Sequence, residues 1–390
     1  MAAPDGGDRS VGNPRSGCDR LASVGTEFEP IRAAADIDAA WLTAMLHDAG
    51  IGGGHEVVVS SSESIGTGQV GDNVRFRLEW DEPDASLPQT VIGKFPSQSE
   101  ISRSTAVAVG TYVREIGFYR ELQRHVQIRT PRVHHVGWNA DTHDFVVMME
   151  DIAPAEQGDQ LAGCDVDRSH LVVDQAVGLH APTWGRTDVY APFDWLQPPD
   201  AERAAMLGGM YAICAPGFVE RYRGRLSDED LALADVLVGL YRQLFEATGA
   251  WAARHGGYCV VHADYRLDNI LFGSPPSSPA VTVVDWQTVT IGIGPADIAY
   301  FCGAGMLPVD RELHERALVD RYAAALRSAG VELSDEAAWD GYVLGSAGGY
   351  LMALLASQIV ERTERGDEMF AVMAERHAAQ VRHVGLLDRL

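Results

Sequence analysis

Four apolar residues, Val74, Phe76, Leu78 and Trp80, alternate with Arg75, Arg77 and Glu79, and this period of two predicts a strand with one buried face. Similar short runs at 56–60, 91–95, 133–138 and 144–149 predict further strands, the last two joined by a turn at 139–143. Ahead of them, Ile37, Trp41, Met45 and Leu46 recur at helical spacing behind a possible cap at Asp36, so a short amphipathic helix ending at Gly50 opens the fold. From about residue 155 the rhythm becomes helical: 166–180, 201–223 with an interruption at Pro216, 228–255, 313–329, 336–360 and 368–387. Short apolar runs at 258–261, 270–272 and 281–284 break that pattern and predict strands inside the helical half. The expected class is α+β, with a small β-rich amino-terminal lobe over 26–152 and a larger helical lobe over 153–390. Residues 1–25, rich in Gly, Ser, Asp and Arg, predict a disordered tail.

Between the first two strands lies Ser64-Ile65-Gly66-Thr67-Gly68-Gln69-Val70-Gly71, so Gly66, Gly68 and Gly71 form a G-x-G-x-x-G. A dinucleotide-binding turn shares these glycines but leads into a helix, whereas here a strand leaves the loop. Strand, glycine loop, strand is the arrangement in which backbone amides cover nucleotide phosphates; a plain hairpin is the structural alternative. The strand at 91–95 carries Lys94, the only lysine of the chain. On the following helix Tyr112, Ile116 and Tyr119 define an apolar face that also holds Glu115. A carboxylate aimed at a core needs a partner, and Lys94 is the candidate; otherwise Glu115 reaches solvent and Lys94 faces phosphate alone.

The richest stretch is 260–273, VVHADYRLDNILFG, where His262, Asp264 and Asn269 form H-x-D-x-x-x-x-N between two apolar runs. After a Gly/Ser/Pro-rich spacer, the next apolar run delivers Asp285. Two carboxylates and a carboxamide at strand ends suit phosphoryl transfer, which needs positioning and charge neutralisation more than covalent help. Asp264 is the candidate to accept or orient the proton of an attacking hydroxyl, and Asn269 and Asp285 are candidate oxygen ligands for Mg²⁺. Loop and turn hydrogen bonding is the alternative role for each residue taken alone. His262 reads as a buttress of the loop.

The loop resembles the H-G-D-x-x-x-x-N loop of the aminoglycoside phosphotransferase and choline kinase-like families, with Ala263 in place of the usual Gly. Asp264-Tyr265-Arg266-Leu267-Asp268-Asn269 resembles phosphotransferase domains associated with acyl-CoA dehydrogenases, and Asp285-Trp286-Gln287 the ecdysteroid kinase-like branch. The resemblance implies a two-lobed protein kinase-like fold, ATP and Mg²⁺ as cofactors, and a small-molecule hydroxyl as acceptor. It also implies that Met149-Glu150-Asp151-Ile152 is the hinge, Glu150 offering its carbonyl and Ile152 its amide to adenine. By the same match Asp297 braces the catalytic loop, and Leu179-His180-Ala181-Pro182-Thr183-Trp184 matches L-H-A-x-x-W. Only about a dozen residues separate Asp285 from Asp297 and no A-P-E follows, which leaves no room for a protein-substrate platform.

Charge and cysteines narrow the class. With 31 Lys+Arg against 55 Asp+Glu the net charge is −24, which argues against nucleic acid or an anionic membrane as the main partner. The five cysteines are odd in number and lack C-x-x-C spacing, so a reducing cytoplasm is the expected location. The amino terminus has no apolar core, and the strongest apolar run, around 350–360, is too short to span a bilayer, so no membrane insertion is expected. Phe193, Trp195 and Tyr211 are candidates for an apolar acceptor pocket or for core packing. A nucleotide-binding pseudokinase is the rival class; its usual mark, loss of Asp264, Asn269 or Asp285, is missing.

Overall fold

A computed structural model describes residues 30–66 and 71–390. The expected tail and Gly68 lie outside them. Helix α1 (Ala39–Asp48) is capped by Asp38, whose carboxylate accepts the Trp41 N–H at 2.8 Å. The cap expected at Asp36 is therefore two residues early; Asp36 closes a preceding 3₁₀ turn.

Strands β1 (Val57–Ile65), β2 (Gly71–Trp80), β3 (Thr90–Pro96), β4 (Val133–Trp138) and β5 (Phe145–Glu150) form one antiparallel sheet in the order β1-β2-β3-β5-β4. The period of two sorts its residues between faces. Val74, Phe76, Leu78, Phe95, Val146 and Met148 pack with Trp41, Leu42, Met45 and Leu46 of α1. Val147 and Met149 pack on the other side, in the large core that also holds Tyr112 and Ile116. Lys94 alternates with Phe95 and pairs across the ladder with Val147, so it faces that second side. There, α2 (Glu100–Val109) ends at the left-handed Gly110 and α3 (Thr111–Gly117) follows at once. One irregular turn, Phe118–Leu122, extends it.

Beyond β5 come β6 (Ala155–Gln157), α4 (Val166–His180), α5 (Thr187–Tyr190), α6 (Ala201–Tyr222) and α7 (Asp228–Arg254). Helix α6 runs unbroken through Pro216, contrary to the expected interruption. Pro216 and Ala212, whose carbonyl the missing N–H would have taken, are both exposed, so water can serve that carbonyl. Buried Ala215, Phe218 and Tyr222 anchor the helix on either side.

Strand β7 (Cys259–Val261) pairs with β10 (Thr290–Gly292), while β8 (Ile270–Gly273) lies between β6 and β9 (Val281–Val283). Helices α8 (Gly294–Gly305), α9 (Pro308–Ser328), α10 (Asp335–Gly345), α11 (Gly348–Ile359) and α12 (Glu364–His383) complete the chain. The single helix expected over 336–360 is two helices, turned at Ser346 and Ala347, with the Ser346 hydroxyl donating to Val343 O at 2.7 Å. By length and composition 335–359 is apolar enough to cross a membrane, a longer stretch than the apolar run noted in the sequence. About two thirds of its most apolar window (67%) is buried inside the protein, which marks core helices.

Candidate active site

Polar groups from both halves of the chain meet at Lys94. Its ammonium donates to Glu115 Oε1 at 2.6 Å and to Asp285 Oδ1 at 2.9 Å. Lys94 and Glu115 are buried, with side chains 8% and 1% exposed, so neither charge is diluted by water. Burial alone would lower the Lys94 pKa, but the Asp285 and Glu115 carboxylates outweigh it and raise it, keeping the ammonium charged. Burial raises Glu115, against the pull of Lys94. Asp285 sits at φ +67, in the left-handed region that Asp tolerates better than most residues, and its Oδ2 accepts from Gln287 Nε2 at 3.0 Å.

Asp285 lies one residue beyond a ladder that fixes its distance from the loop. Val283 pairs with Ile270, and the Val284 N–H donates to Asn269 O at 3.0 Å, which sets Asn269 beside Asp285. Asn269 Nδ2 donates to both the backbone carbonyl and Oδ2 of Asp264, at 2.9 and 3.0 Å, so these bonds do not use its amide carbonyl oxygen, an acceptor. Asp264 is thus tied to Asn269, and Asn269 to the strand end of Asp285.

Asp264 has two more partners. Arg266 Nε donates to both of its oxygens at 3.0 Å, and the Tyr300 hydroxyl donates to Oδ1 at 2.7 Å. Burial would raise the Asp264 pKa, but the Arg266 charge and the Tyr300 hydrogen bond hold it below the usual carboxylate value. Burial and the Asp264 charge push the Tyr300 phenol well up, so it stays a donor. Arg266 also donates to Asp268 Oδ2 at 2.8 Å, and Asp268 accepts the Gln160 N–H at 3.0 Å.

The loop backbone is held from behind. Asp297, in the first turn of α8, accepts the His262 N–H at 2.7 Å and the Ala263 N–H at 3.0 Å. His180 sits under it: Nε2 donates to Asp297 Oδ2 at 3.1 Å, and Nδ1 accepts from the Tyr322 hydroxyl at 2.7 Å. The His262 ring accepts the Asp264 N–H on Nδ1 at 3.3 Å and donates from Nε2 to Val284 O at 3.1 Å. That spans the two strands and fixes the tautomer. Ala263 sits at φ +63, a conformation that glycine would adopt freely and alanine holds under strain.

The glycine loop is described at both ends. Gly66 closes β1 at φ +74. Gly71 opens β2, where an added Cβ would lie 3.1 Å from Phe95 O and 3.4 Å from Lys94 Cε, so a side chain would crowd the lysine. Glu150 ends β5 with its carboxylate on Arg129 Nη2, at 2.5 Å, and on the Arg132 N–H, at 2.6 Å. Ile152 is buried. Asp151 between them takes a two-pronged contact from Arg75, at 2.7 and 3.1 Å, tying this segment to β2. Phe193, Trp195 and Tyr211 pack against the main core, and Trp195 donates to Glu121 at 2.5 Å.

Residues 101–342, more than half of the chain, match the family profile described as the APH phosphotransferase enzyme family. The chain belongs to that family. Among solved structures, this phosphotransferase-family chain resembles choline kinase from Cryptosporidium parvum, with a TM-score of 0.52 over 85% of this chain and 90% of that one, at 12% identity. It also resembles a microcompartment-associated aminopropanol kinase, with a TM-score of 0.51 over 88% and 97% at 16% identity. At such identities the likeness is one of fold, and it is the α+β arrangement of an amino-terminal antiparallel sheet and a mostly helical remainder. A shorter match, 45% identical over 49 residues, joins the chain to acyl-CoA dehydrogenase family member 10 from Mus musculus; it covers 13% of this chain and 4% of that protein.

Proposed function

We propose that this phosphotransferase-family protein moves the terminal phosphoryl group of ATP, in the presence of Mg²⁺, to a hydroxyl group of a small organic molecule. The observation that carries the reading is the meeting of Lys94, Glu115 and Asp285, with Asn269 and Asp264 on the adjoining strand end. Lys94 holds the nucleotide phosphates with Glu115 behind it, the loop bounded by Gly66 and Gly71 covers them, and the backbone of Glu150 and Ile152 takes the adenine edge. Gly68 belongs to the same loop in this reading.

The metal ligands in this reading are Asn269, through its amide carbonyl, and Asp285. Among the described residues no cluster of three or more His, Cys, Asp or Glu suits a metal. Two oxygen donors with phosphate and water completing the shell suit Mg²⁺, which keeps waters and uses few protein ligands. When bound, Mg²⁺ supplies charge neutralisation at the phosphate oxygens. Asp264, kept ionised by Arg266 and Tyr300, orients the acceptor hydroxyl. As the acceptor oxygen bonds to phosphorus and the bridge to ADP breaks, the hydroxyl proton passes to Asp264 and then to solvent. A carboxylate with a lowered pKa is a weak base, which suits a loose transition state in which the proton leaves late. The cytoplasm is the proposed setting, where ATP is at hand and Cys164, Cys214, Cys259 and Cys302, all free thiols, stay reduced.

The test is a screen of hydroxyl compounds with purified protein, ATP and Mg²⁺, spanning aminoglycosides, choline-like and sterol-like alcohols and hydroxyacyl compounds. Product mass and ADP release are scored. Asp264→Ala should reduce kcat on the acceptor so found by about 10²–10⁴ while ADP still binds. Unchanged turnover in that variant would remove Asp264 from the mechanism.

A further inference from the structure

On a net charge of −24, one short segment stands apart. Within thirteen residues, Arg120, Arg124, Arg129 and Arg132 line a cleft of about 490 Å³, together with Gln123 and Thr130. Among the described residues the lining contains no carboxylate. Glu121, the one acidic residue of the segment, is turned to the Trp195 indole N–H. Arg129 is paired with Glu150, whereas among the described residues the Arg120 and Arg132 guanidinium groups have no carboxylate within ion-pair distance. Arg124 donates to the His125 ring at 3.2 Å and has no carboxylate within ion-pair distance among the described residues.

The cleft is also framed, which distinguishes it from arginines scattered over a solvated surface. Its loop is pinned to the helical half by the Gln127 N–H on Gly178 O at 2.7 Å and by the Arg129 N–H on Gln175 Oε1 at 3.0 Å. It is pinned to the strand leading to Asp285 by the Val283 N–H on Arg129 O at 2.8 Å. The Glu150 N–H on Arg132 O at 2.9 Å ties it to β5. Across the cleft itself, Gln123 Nε2 donates to Thr130 Oγ1 at 2.6 Å and to Pro131 O at 3.0 Å, closing the loop on itself. Guanidinium forks on such a frame match phosphoryl oxygens in shape as well as charge, and the volume falls in the range of small-molecule sites.

We propose that this cleft is a second ligand site, separate from the nucleotide cleft, that binds a small molecule carrying a phosphoryl or diphosphoryl group. The size of the ligand follows from the rest of the surface. A long polyanion such as nucleic acid would meet the repulsion of the acidic remainder of the chain, whereas a compact ligand held within the cleft meets mainly the arginines.

Inorganic pyrophosphate is the probe, titrated calorimetrically without Mg²⁺ into the full-length protein and into Arg124→Ala/Arg132→Ala. Both arginines are exposed, so folding does not depend on them. Loss of two charge-assisted contacts should weaken pyrophosphate at least tenfold, while the affinity for Mg·ADP, measured on the same samples, stays within about twofold. Equal pyrophosphate affinity in parent and variant would overturn the proposal. So would a parallel loss of pyrophosphate and Mg·ADP, which would place the anion in the nucleotide cleft. Capture of a glutamate-rich peptide by a parent protein that ignores pyrophosphate would also overturn it, in favour of a protein partner. If Mg·ADP fails to bind even the parent, the proposed function falls and the pyrophosphate comparison still decides this site.

Discussion

Lys94 on β3 donates to Asp285, 191 residues further along the chain, while also donating to Glu115 on α3. One cation therefore binds a sheet, a helix and the strand end that follows the loop of His262, Asp264 and Asn269. Two carboxylates depend on it for charge balance.

Removal of Lys94 should leave Glu115 buried without its counter-charge. In Lys94→Ala the lowering influence on Glu115 is gone and burial, its main influence, pushes the pKa further up. The folded protein then holds a proton that the unfolded chain releases, so stability is lost as pH rises through the ordinary carboxylate range toward the raised value. Urea unfolding should show a deficit of about 3–5 kcal/mol at pH 8, and a smaller one at pH 5. A deficit independent of pH would contradict the pairing.

Arg266 sets the state of Asp264. The native Asp264 pKa is depressed, so its share of stability is present above the ordinary carboxylate value and is lost as pH falls through the depressed one. The acid limb of kcat/KM should therefore lie below the usual aspartate range. In Arg266→Gln the upward push of burial is left opposed by less, and the limb should move up by about one to three pH units. A limb that stays in place would show that Arg266 has no electrostatic hold on the base.

The His180 ring reaches the loop through Asp297. In His180→Phe a nonpolar ring of similar bulk faces a buried carboxylate and the Tyr322 hydroxyl, and both lose a partner. A stability loss of about 2–4 kcal/mol is expected by urea unfolding. With it, kcat should fall while nucleotide KM holds, because the displaced element is the loop and not Lys94. An equal change in both constants would point to general loosening.

Strand alternation and the spacing of His262, Asp264 and Asn269 are local patterns, and for that reason they are legible in the sequence. The pairing of Lys94 with Glu115 was also legible, since a carboxylate on the apolar face of a helix needs a partner and the two residues match the lysine–glutamate pair of kinases in type and order. Of the supports of the loop, His262 was legible as a buttress and Asp297 through the family resemblance, whereas Tyr300 and His180 were not. Tyr300 reaches Asp264 across 36 residues and His180 reaches Asp297 across 117, and no periodicity encodes such contacts. Arg266 is only two residues from Asp264, yet a charged loop residue reads as solvated until the fold buries it. The misreadings have equally local causes. Pro216 lost its helix-breaking effect because its turn faces water, and the run at 335–359 bends where small residues let α10 and α11 crowd their neighbours.

The most direct measurement is binding of ATP, with and without Mg²⁺, to the parent protein and to Asp285→Ala. With Asp285 as the proposed anionic ligand of the metal, Mg²⁺ should strengthen binding to the parent and have no effect on the variant. An Asp285→Ala protein that binds ATP with undiminished dependence on Mg²⁺ would contradict it.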